Sequence, residues 1–172
     1  MVAVLLLAGC SSEPSAEPTP PTAVAQGNGY ILAMALPADR FAEGDAIDVR
    51  TTLTWTGPAP KGVIWGSGSG MVAFSFAELT GRHRTIGAVT TDDCAKHEFA
   101  QGIAMPIPFG KSGGWTDEDP DAPFFEAFFR DPQLHLPPGR WRITARANGF
   151  LAECVGDAPE LDLRVTLDFG VG

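Results

Sequence analysis

The end of the chain alternates without a break: Leu161, Leu163, Val165, Leu167 and Phe169 are apolar, and Asp162, Arg164, Thr166 and Asp168 between them are polar. Successive strand side chains point to opposite faces, so a period of two predicts a strand that buries one side only. Trp141, Ile143, Ala145 and Ala147 oppose Arg140, Arg142, Thr144 and Arg146 in the same way, and Ile47, Val49, Leu53 and Trp55 oppose Asp48, Arg50, Thr52 and Thr54. The 20 Gly and 15 Pro cut this pattern into short pieces, which excludes a coiled coil or a helical bundle. One-sided strands hide their apolar faces against a second sheet, so the expected fold is an all-β antiparallel sandwich rather than a parallel α/β sheet. Seven to eight strands are expected, near 30–36, 46–56, 62–66, 71–79, 84–89, 102–109, 140–148 and 160–169.

A chain of 172 residues has room for one such domain. Its net charge of −9 opposes attraction to nucleic acid and to anionic lipid head groups, so no nucleic-acid partner is expected.

The start of the chain, MVAVLLLAGC, is an apolar run too short to span a bilayer, which needs about 20 such residues; it has the character of a signal-peptide core. Leu7, Ala8, Gly9 and Cys10 resemble the lipobox of bacterial lipoproteins. That resemblance implies removal of residues 1–9, acylation of Cys10, attachment to the membrane through that lipid, and a location outside the cytoplasm. Two acyl chains hold durably where one holds marginally, since each buried methylene contributes roughly 0.8 kcal/mol. Residues 11–29, rich in Ser, Glu, Pro, Thr, Ala and Gly, lack the apolar side chains for a core. They are expected to form a disordered tether of up to roughly 60 Å at about 3.1 Å per residue. The expected organisation is thus a signal peptide over 1–9, a lipidated cysteine and tether over 10–29, and a sandwich domain over 30–172.

With Cys10 acylated, Cys94 and Cys154 remain. An even pair outside the cytoplasm favours a disulfide over two separate buried thiols. A redox-active pair is disfavoured because the chain has no CxxC and the thiols sit beside acidic residues.

The longest irregular stretch, 111–136, is expected to hold one short helix and to be the interaction loop. Phe124, Phe125, Phe128 and Phe129 form one apolar stripe on such a helix, either packed on an open edge of the sandwich or exposed with Trp115 to a partner. Asp117, Asp119 and Asp121 have the first spacings of a calcium loop, but Phe128 stands where its last carboxylate belongs. Turn formation and helix capping are the better reading, and no metal is expected. His83, His97 and His135 lack zinc spacing, and GSGSG at 66–70 lacks the Lys-Ser/Thr of a phosphate loop. Ser, His and Asp all occur, but nothing in the sequence places them together, so neither catalytic residues nor a cofactor are expected.

The strand and turn at 46–58, the segment VIWGSGSGMVAFSFAELTGR, the step FAQGIAMPIPF and the strand Pro138-Gly139-Arg140-Trp141-Arg142-Ile143-Thr144-Ala145 together resemble bacterial Ig-like domains of the BsuPI type, intracellular proteinase inhibitors. The resemblance implies an Ig-like sandwich. The expected role is a cell-envelope lipoprotein presenting a non-catalytic binding module to a protein or other envelope partner; the alternatives are a proteinase-inhibitor-like domain and a cryptic envelope enzyme.

Overall fold

The structure, a computed structural model, describes residues 19–154 and 157–172. The expected signal peptide over 1–9 and Cys10 lie outside them. In chain order the described elements are β1 (Thr22–Gly27), β2 (Tyr30–Ala35), β3 (Arg40–Phe41), β4 (Arg50–Trp55), β5 (Lys61–Gly66), β6 (Val72–Glu78), β7 (Thr85–Ile86), β8 (Ala95–Ala100), β9 (Ala104–Ile107), α1 (Ala122–Arg130), β10 (Gly139–Phe150) and β11 (Glu160–Val171).

The fold is an all-β sandwich with one short helix. One sheet has the order β1-β2-β4-β9. The other is built on the long β10–β11 hairpin, with β6 and then β7 beside β10, β3 beside β11, and the β5–β8 pair joined at Phe150 opposite Trp65. All ladders are antiparallel except the short β3–β11 pairing. The inner faces follow the alternation of the sequence. Trp141, Ile143, Ala145 and Ala147 of β10 and Leu161, Leu163, Val165, Leu167 and Phe169 of β11 are buried against Leu32, Met34 and Leu53 in one core.

The domain begins earlier than the sequence suggests. Residues 22–27, inside the stretch read as a tether to residue 29, form β1 and pair along their whole length with β2. Asn28 and Gly29 both have positive φ, 51° and 78°, which is the backbone of a tight two-residue hairpin, and Asn-Gly is a strong signal for that turn. Only Ala23 and Ala25 pack inward from β1, too little apolar bulk to betray a strand by composition.

Two further strands were not expected. β3 is only two residues long, and in β8 the sequence AKHEFA buries Phe99 alone. Conversely, the strand expected from residue 46 starts at Arg50, because the Ile47 amide bonds to the Leu134 carbonyl of the long connection instead of to a neighbouring strand. The strand expected over 84–89 contracts to β7, and that over 102–109 to β9.

Where β2 meets β4, Trp55 lies 4.8 Å from Tyr30 between ring centroids, and Tyr30 packs edge-on to Phe99 at 5.7 Å. A Cβ at Gly62 would come within 2.5 Å of both the Trp55 ring and the Tyr30 hydroxyl, so only glycine fits under this cluster. The Tyr30 hydroxyl is buried and has no hydrogen-bond partner among the described residues. Burial raises its pKa to about 12.

Candidate functional site

The stretch 111–136 does contain the expected helix, α1. Its aromatic stripe turns inward. Phe128 is 3% exposed and meets Phe76 edge-on at 5.7 Å, and Phe124 stacks on Trp141 at 6.2 Å. Phe125 and Phe129 are half-buried against the same core. Trp115 lies nearly parallel to Phe129 at 5.9 Å, which ties the loop to the helix. Of the two places weighed for the stripe, the structure has the packed one, so α1 closes the sandwich beside β6 and β10.

Both ends of α1 are held by distant cations. Arg82 pairs with Asp121 at the N-terminus, 2.9 Å apart. At the other end Lys111 Nζ donates to the carbonyls of Phe128 and Asp131 at 2.7 and 2.8 Å, and also to that of Gln133. A cation over the last carbonyls satisfies acceptors the helix leaves open and opposes the negative end of its dipole. Burial pushes the Lys111 amine below its ordinary pKa. Asp119 accepts a bond from the Thr116 amide, and Asp117 is exposed. Asp119 thus shapes the turn, whereas Asp121 stands at the N-cap without a side-chain capping bond and pairs with Arg82 instead; among the described residues no cluster of three metal-ligating side chains occurs.

Glu78 and Arg84 secure α1 from the sheet side. Arg84 forks onto Glu78 at 2.8 and 3.0 Å and lies 4.0 Å over the Phe124 ring. Arg84's hydrogen bond holds the Glu78 carboxyl below its ordinary pKa.

At the opposite end, Cys94 and Cys154 form a disulfide across 60 residues. Beside it the β5–β6 connection is fastened to residues 91–93. Ser67 Oγ lies 2.7 Å from Ser69 Oγ and 2.9 Å from Thr91 Oγ1, and Asp93 Oδ1 accepts from the Gly68 amide at 2.8 Å and from the Thr91 hydroxyl. Those bonds hold the Asp93 carboxyl below its ordinary pKa. His97 bonds through Nε2 to the Ser67 carbonyl oxygen at 3.0 Å, not to the Ser67 hydroxyl. A serine, a histidine and an aspartate therefore meet here in a loop clasp. Asp117, Asp119 and Asp121 precede α1, away from this clasp, and His135 bonds to Asp131.

One broad opening was not foreseen from the sequence. β7 covers only Phe76 and Ala77 of β6, and β9 is paired on one side only, by β4. A groove of about 510 Å³ runs between these two open edges. Its floor includes the buried Met71, Phe74 and Phe99, and its rim includes the exposed Val89 and Met105. Pro106 blunts the β9 side, because proline brings no amide to a new strand. The signal available in advance was the step FAQGIAMPIPF, whose prolines mark an edge strand. An extended apolar segment suits this groove, with Ser69, Thr90 and Ser112 as polar neighbours.

No protein family, curated protein or solved structure matches this chain. The fold and sites themselves define the class: a disulfide-bridged all-β sandwich with an open apolar seam. Among the described residues no helix is long and apolar enough to cross a membrane.

Proposed function

We propose that this chain is a lipid-anchored, extracytoplasmic binding module with an Ig-like sandwich that presents its open seam to a partner in the cell envelope. The disulfide between Cys94 and Cys154 carries this reading. Disulfides persist in oxidising compartments, and closing this one leaves Cys10 as the remaining cysteine, placed in a lipobox-like sequence. The membrane partner is reached through the acylated Cys10, and the tether shortens to 11–21 because β1 begins at Thr22. That length still spans roughly 35 Å when extended at about 3.1 Å per residue.

Intact mass of the protein purified from its native membrane, with and without reductant, tests the reading. Loss of residues 1–9, added lipid mass and a two-proton deficit relieved by reductant are expected, and Cys10→Ser releases the protein from the membrane fraction. An unprocessed chain with free thiols overturns it.

A further inference from the structure

The outward face of β10 and β11 departs from the acidic balance of the chain: Arg140, Arg142, Arg146 and Arg164 stand there against Glu160, Asp162 and Asp168. Arg142 is neutralised by a fork onto Asp168 at 2.7 and 2.9 Å. Arg146, however, stands directly opposite Arg164 in the ladder. Like charges directly opposite destabilise an antiparallel pair. Asp162 forks onto Arg146 at 2.7 and 3.0 Å, which neutralises one of the two. Arg164 has no hydrogen-bonded carboxylate among the described residues, and Asp162 and Glu160 are the carboxylates near the pair.

What surrounds the pair is a set of donors. The register lays Thr166, Thr144 and Ser75 side by side across β11, β10 and β6, and in the next row Arg164, Arg146 and Ala73. The short side chain at Ala73 leaves space beside Arg146. The resulting open basin of about 320 Å³ has Arg146, Arg164, Thr144, Ser75, Thr90 and Asn148 around it and no carboxylate in its lining. Guanidinium forks match the oxygens of phosphoryl groups, and hydroxyls and an amide can donate to the oxygens the forks leave open.

We propose that this basin binds a phosphoryl oxyanion between Arg146 and Arg164, with the Thr144 and Ser75 hydroxyls donating from beneath. A tetrahedral group uses donors from several directions at once, whereas a planar carboxylate is satisfied by one fork. The bound anion gives Arg164 the hydrogen-bonded oxygens that Asp162, forked onto Arg146, does not give it. The basin adjoins the seam, with Ala73 and Thr90 in the lining of both, but the inference rests on Arg146, Arg164, Thr144 and Ser75, which the seam does not use. The phosphoryl group can be free phosphate or the headgroup of an anionic phospholipid.

The test follows the arginine Nε–Hε NMR signals of the full-length protein in maltoside micelles. One arm adds inorganic phosphate at constant ionic strength, and the other adds phosphatidylglycerol vesicles with phosphatidylcholine vesicles as reference. Saturable shifts of Arg146 and Arg164, with Arg50 unmoved, are expected, and Arg164→Gln weakens apparent affinity about tenfold or more. A response to inorganic phosphate assigns a free-phosphate source, and one confined to phosphatidylglycerol assigns a lipid source. Absence of a selective response in both arms, or unchanged affinity in Arg164→Gln, overturns the site. Because Arg164 is exposed and faces a like charge, its replacement leaves the fold intact, which the unchanged signals of the core methyl groups verify.

Discussion

Arg84 grips Glu78 through Nε and a terminal nitrogen while its guanidinium carbon rests 4.0 Å above the ring of Phe124. One side chain thus joins the end of β6 to the first turn of α1. Glu78 is one of two buried polar residues among those described, with its side chain 2% exposed. Its charge is tolerated because the fork satisfies both oxygens.

Removing one partner from such a pair strands the other. Arg84→Ala is expected to cost about 3 kcal/mol, and Arg84→Lys to cost less, since it keeps the charge and loses the fork. Urea unfolding at neutral pH measures both, and a loss under about 1 kcal/mol for Arg84→Ala contradicts the assignment. The pair also sets an acid limit. The folded Glu78 pKa lies below its ordinary 4.5, so its contribution is present above that value and is lost as pH falls through the folded pKa. In Glu78→Gln this part of the acid sensitivity disappears.

The Cys94–Cys154 bridge closes a loop of 60 residues. Constraining the unfolded chain to that extent is worth about 4 kcal/mol. Reduction, or Cys94→Ser with Cys154→Ser, is expected to lower the unfolding free energy by that order. An identical denaturant midpoint in the presence and absence of reductant refutes it.

The aromatic stripe of α1 contributes unequally. Phe128→Ala opens a cavity against Phe76 and is expected to cost about 4 kcal/mol; Phe125→Ala, at a half-buried position, costs less than half of that. Comparable losses for the two, measured by thermal or urea unfolding, would argue against the inward orientation of the stripe.

Tyr30 is the single tyrosine of the chain, so tyrosinate absorbance near 295 nm reads it alone. Its ionisation is expected at about 12, or earlier only together with unfolding. Because the folded pKa is raised, the associated stability is complete below the ordinary value of 10.0 and is lost as pH rises through about 12. Tyr30→Phe removes a hydroxyl that has no partner and is expected to leave stability unchanged or raise it by up to about 1 kcal/mol. A clear destabilisation would show that the hydroxyl is bonded.

Much of this architecture was legible in advance. The strict alternation at 140–147 and 161–169 identified both faces of the central hairpin, since a period of two leaves no freedom about which side is buried. The helix within 111–136 was readable from the spacing of its four phenylalanines. β1 was hidden by its composition, although Asn28-Gly29 marked its turn, and β8 was hidden because Phe99 is its lone large apolar residue.

Local pattern thus determined that the chain makes one-sided strands and that they form a sandwich, and cysteine count together with the lipobox resemblance favoured the pairing of Cys94 and Cys154. Register and distant contact were left to the tertiary structure, because a period specifies a face but not the neighbour across it. Pairing placed Arg146 opposite Arg164 and left the edges of β6 and β9 open to form the seam. It also brought Lys111 to the end of α1 and Arg84 to Glu78, contacts whose energies depend on burial and geometry that no short window of sequence contains.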